Sequence, residues 1–124
     1  MRRELTKGQR RRLRELAGVA YGRDLSQELT ALEAQFGRWR AGEIDPYELC
    51  DRIHVFHDGP SRRLFLLYNR GDPDMAVASA IARGIVSASE AGSEVVEILK
   101  ATIEYFREGN EASGERNGPA EGRV

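Results

Sequence analysis

From Leu13 to Trp39 the apolar residues Leu13, Ala17, Tyr21, Leu25, Leu29, Leu32, Phe36 and Trp39 follow one another at steps of three or four. Such spacing keeps them along one side of an α-helix and cannot alternate across the two faces of a strand. Upstream, Thr6-Lys7-Gly8-Gln9 has the form of a capping box, so a first helix is predicted over Lys7 to Arg40. A straight helix of that length would extend about 50 Å, more than a compact domain of this size is wide. The helix is therefore expected to kink, split or protrude. Gly18 and Gly22 are the natural weak points, with Asp24-Leu25-Ser26-Gln27 able to cap a fresh start. Alternatively, the two glycines beside Ala17 and Ala20 let another helix approach closely.

Every later segment is also helical in pattern. Asp45-Pro46, with Glu48 at the third helical position, combines an N-cap, a proline where no N–H is needed and a capping-box acid. This second helix is expected to end at Asp58-Gly59-Pro60, and Pro60 to open a third. Leu64, Phe65, Leu66, Leu67 and Tyr68 make that third helix apolar almost all round, which places it in the middle of a core. Asp72-Pro73-Asp74 starts a fourth, whose Ala76, Val77, Ala80, Ile81, Gly84 and Ile85 suit a short interaxial distance. After a break at 89–93, Val95, Val96, Leu99, Ile103 and Phe106 define a fifth helix to about Glu108. The fold class is all-α: a compact bundle of about five helices with a long N-terminal helix. Residues 1–108 form its single domain, and 109–124, with four glycines and no apolar period, form a disordered acidic tail.

The formal net charge is −1, but it is unevenly spread. Residues 1–24 hold eight Lys/Arg against three Asp/Glu, and residues 71–124 hold five against ten. Such a split fits either an anionic partner at the basic end or two ends folded together. The single cysteine allows no intramolecular disulfide, and no apolar run nears the roughly 20 residues that span a bilayer. The N-terminal residues lack the apolar stretch of a secretory signal. A cytoplasmic, non-membrane protein is expected.

The one chemically suggestive cluster lies on the second helix. Cys50, His54 and His57 fall within about 60° of one another on a helical wheel, and thiolate and imidazole both suit zinc. Residues i, i+4 and i+7 span about 10 Å of axis, however, while zinc bonds are near 2 Å, so all three cannot reach one ion. A pair would need carboxylates or a second subunit to complete it, and no cofactor is assigned. For acid–base chemistry the richest set is His54, His57, Asp58 and Arg62, with Arg63 beside it. It has an equally simple structural reading, in which Asp58 pairs with Arg62 and His57 sits as a cation at a helix C-terminus.

Two surfaces remain. Lys7, Arg10, Arg11, Arg12 and Arg14, after Arg2 and Arg3, could lie along phosphates, although the acidic whole and the lack of interleaved aromatics weaken a nucleic-acid reading. Leu25, Leu29, Leu32, Phe36 and Trp39 repeat four-three-four-three, the spacing of a coiled-coil seam. Any portion of the first helix that protrudes would leave this seam in water unless another chain covered it. The leading expectation is an interaction or regulatory module that self-associates through its first helix, as a homodimer or with another helical protein. The alternatives are a small hydrolase-like or metal-dependent enzyme at His54, His57 and Asp58, and a nucleic-acid-associated factor.

Overall fold

The computed structural model describes the backbone of residues 4–117 and the side chains of residues 4–110. Among these it contains five helices of eight residues or more: α1 (Lys7–Arg40), α2 (Pro46–Phe56), α3 (Arg62–Asn69), α4 (Pro73–Ala82) and α6 (Ser93–Asn117). A single-turn α5 (Ala88–Ala91) precedes α6. The described residues contain no strand, and the architecture is the all-α bundle with a long first helix that the periodicity predicts.

Helix starts follow side-chain chemistry. The Thr6 hydroxyl accepts from the Gln9 N–H at 3.0 Å while the Gln9 side chain accepts from the Thr6 N–H at 2.9 Å, closing the predicted box. Asp45 accepts from the Glu48 N–H at 2.7 Å, but the Glu48 carboxylate turns to Arg52 and leaves that second box half made. Asp72 caps α4 and Ser87 caps α5 in the same manner. Stops use glycine. Gly42 and Gly84 take φ of 79° and 80°, left-handed values that cost glycine little, and the following N–H groups of Glu43 and Ile85 return to Arg38 and Ala80. Gly84 thus ends α4 and is not part of its contact face.

α1 runs unbroken through Gly18 and Gly22, so the expected kink or second start does not occur. Nothing lies within 4 Å of where either glycine's Cβ would be, and no helix uses them for close approach. The length is accommodated differently. The N-terminal half of α1 shares one core with α4 and α6, α3 meets α1 near its middle at Tyr21 and Asp24, and α2 lies beside residues 28–35, so one helix serves as a wall for two neighbourhoods.

α4 is the central helix. Ala76, Val77, Ala78, Ala80 and Ile81 are all buried, against Leu13, Leu16, Ala17 and Ala20 of α1 and Val95, Leu99 and Ile103 of α6. Its alanines allow the neighbours in close, as the sequence implied. α3, expected at the centre, is not there: only Leu64 is buried, while Phe65 and Leu66 are exposed. An apolar circumference raises the gain from burial but does not select which helix the chain wraps around.

Nor does Gly59-Pro60 separate two helices. His57–Ser61 forms a π-helical turn that carries α2 straight into α3. Proline lacks the N–H that an α-turn would use and its ring crowds the carbonyl four residues back, and the wider turn relieves both. The last helix also outruns its expected end near Glu108, continuing to Asn117. Gly109 weakens a helix by only about 1 kcal/mol, and no proline intervenes before Pro119. The remainder of the expected tail, 118–124, lies outside the described residues.

Candidate interaction surface

The residues singled out for acid–base or metal chemistry face water. Cys50, His54, His57, Asp58 and Arg62 are all exposed, and the side chain of His57 retains 81% of its full accessibility. The histidines are therefore neither packed at the edge of the core nor enclosed. His57 Nδ1 lies 3.4 Å from Asp58 Oδ1, a loose contact between neighbours, and Asp58 forms no ion pair with Arg62 among the described residues. No three His, Cys, Asp or Glu side chains among the described residues are arranged to hold a metal ion. These groups do not converge on a shared reacting position.

The basic end of α1 divides. Arg10 donates to the Leu5 carbonyl at 2.7 Å, and Arg12 donates to the Glu90 carbonyl at 3.0 Å with Glu15 at 3.5 Å. Lys7, Arg11 and Arg14 have no partner among the described residues and line one shallow depression. The unspent cations thus share the face through Arg11, whereas Arg10 is tied to the backbone. Arg2 and Arg3 lie outside the described residues.

The seam residues behave unlike a core. Leu25, Leu32 and Phe36 are half-buried, while Leu29 is 49% exposed and Trp39 40% exposed. Leu29, Leu32 and Phe36 border an open depression on the outer side of α1, with Glu33 and Arg40 at its rim. On the inner side, between α1 and α2, lies a cleft of about 450 Å³. Its α1 wall carries Glu28, Ala31, Leu32 and Gln35, and its α2 wall carries Glu48, Asp51, Arg52 and Val55. Phe56 and Pro60 close one end, so the π-helical turn that absorbs Pro60 also shapes the cleft. Cys50, His54 and His57 point from the opposite side of α2 and take no part in it.

Above this open region sits a polar cluster that sequence reasoning missed. Asp24 is 4% exposed. Arg83 Nη1 and Nη2 donate to its two carboxylate oxygens at 2.9 and 3.1 Å, and the Tyr68 hydroxyl donates to Oδ2 at 2.6 Å. Tyr68 stacks on Tyr21 with ring centroids 5.0 Å apart. Burial and the hydrogen bond to the Asp24 carboxylate push the Tyr68 hydroxyl up to about 12. For Arg83, desolvation opposes the charged form, but the bonds to Asp24 outweigh it and raise the pKa. The fork joins α1, α3 and the end of α4. A second latch, Arg23 on Glu90 at 2.7 and 2.8 Å, ties α1 to α5; it raises the guanidinium's pKa and lowers that of the carboxylate.

One signal for Asp24 was present. It lies eleven residues, about three helical turns, after the core residue Leu13, and so sits on the buried face of α1, where a charge requires a partner. Reading it as a cap for a second helix concealed this. Comparison with family models, with curated proteins and with solved structures returns no match for this chain.

Proposed function

We propose that this protein is a helical interaction module that self-associates through the C-terminal half of α1. The observation that carries the reading is the seam itself. Leu29 and Trp39 stand 49% and 40% exposed in the middle and last turn of a continuous helix, at coiled-coil spacing with half-buried Leu25, Leu32 and Phe36. A row of large apolar side chains along one ridge is a poor surface for an isolated monomer and suits a self-complementary helix pairing. The exposed histidines, of which His57 meets only its neighbour Asp58 at 3.4 Å among the described residues, favour this over the enzyme reading.

Sedimentation velocity of the full chain at tens of micromolar tests the proposal. A dimer is expected, and Leu29→Asp should convert it to a folded monomer, because Leu29 makes little of the monomer's own core. A wild-type chain that stays monomeric across this range overturns the reading, as does a dimer indifferent to Leu29→Asp. Leu32→Asp is the less discriminating variant, since its half-buried site also bears on folding.

A further inference from the structure

The α1–α2 cleft has the construction of a helix-binding trough. On each wall the lining residues follow i, i+3, i+4 and i+7, so each helix presents a straight stripe about 10 Å long. Two such stripes with apolar side chains between them leave a position that a third helix can fill at ordinary interaxial distance. Ala31 on one wall keeps that approach short, while Val55 on the other is 66% exposed and awaits a contact.

Charge narrows the occupant. Glu48 is engaged by Arg52, but Glu28 on the α1 wall and Asp51 on the α2 wall have no hydrogen-bond or ion-pair partner among the described residues. One unspent carboxylate therefore stands on each side of the apolar floor. We infer that the α1–α2 cleft binds an amphipathic helix of a partner protein, one whose apolar ridge is flanked on both sides by Lys or Arg. Apolar anchors would fill the space between Leu32, Val55 and Phe56, and the two cationic flanks would meet Glu28 and Asp51. Leu32 is common to this cleft and the self-association seam, but Leu29 and Trp39 do not line the cleft, so a change at Leu29 distinguishes the two sites.

The test is selection of a displayed library of three- to four-turn helical peptides, randomised at ridge and flank positions, against the full-length chain. Enriched peptides should carry basic residues on both flanks. Their dissociation constants should rise at least tenfold with Asp51→Lys and with Val55→Asp, exposed positions at which the fold is retained, and stay within twofold for Leu29→Asp. Failure to enrich any helix, enrichment without basic flanks, or binding unchanged by both cleft variants overturns the inference. If Val55→Asp instead dissociates the dimer, a second copy occupies the cleft and the partner helix is excluded. Loss of the dimer in Leu29→Asp with peptide binding intact would leave the cleft assignment standing, so the two proposals fail separately.

Discussion

The two halves of α1 carry apolar residues at the same spacing and meet different fates. In the first, Leu13, Leu16, Ala17 and Ala20 are sealed in one core with α4 and α6; in the second, Leu25, Leu32 and Phe36 are half-buried and Leu29 is exposed. The neighbours account for the difference. α4 offers a face of alanines and valine that allows close interlocking, whereas the α2 and α3 side buries only Ile44, Leu49 and Leu64 of its large apolar residues. Periodicity thus marks which side of a helix can be buried, while the partner's shape determines how completely it is. In this molecule the sealed half supplies stability and the open half supplies surface.

The sharpest way to break that contrast is to shorten one side chain in each half. Leu16→Ala should lower unfolding free energy by about 3 kcal/mol through lost burial and a residual cavity, against less than about 0.5 kcal/mol for Leu29→Ala. Urea denaturation of dilute protein measures both. Comparable losses would mean that the seam belongs to the monomer core.

A smaller effect is expected where the halves join. Asp24→Ala removes the acceptor shared by Arg83 and Tyr68, and should cost about 2 kcal/mol, moderated because Arg83 can turn partly to water. A loss under about 0.5 kcal/mol in the same denaturation assay would show that the fork does not tie α1 to α3 and α4.

The smallest effect is one of pH. The neutral Tyr68 hydroxyl is favoured in the fold, with its pKa raised from the ordinary 10 to about 12. The folded chain therefore holds a proton that the unfolded chain has released. This contribution is complete below about pH 10, declines as pH rises from 10 to 12 and is absent above. Its size should be roughly 1–2 kcal/mol after allowance for partial exposure. Denaturation midpoints measured between pH 9 and 12 should fall less steeply in Tyr68→Phe than in the parent chain. Equal slopes would remove the tyrosine from the fork's energetics.

Much of the fold is legible in the chain because its determinants act over a few residues. Thr6 with Gln9, Asp45 with Pro46, and Asp72 with Pro73 place three helix starts, each through a side chain within three positions of the N–H it meets. The seam Leu25 to Trp39 is equally visible as a pattern, and so are the two histidines and the cysteine as a cluster. Their exposure is not, since spacing along α2 cannot say which of its faces α1 will cover.

By itself the sequence determined that the chain is helical, where most of its helices begin, and which residues share a face, since hydrogen bonds within a turn and a 3.6-residue period are local facts. Only the tertiary structure decided that α4 and not α3 is central, that Pro60 is carried through a π-turn, and that Asp24 meets Arg83 across 59 residues. It also decided that the seam is left half open beside an acidic-walled cleft. Those outcomes depend on how whole helices compete to cover one another, and that competition is settled by shape and charge brought together from distant parts of the chain.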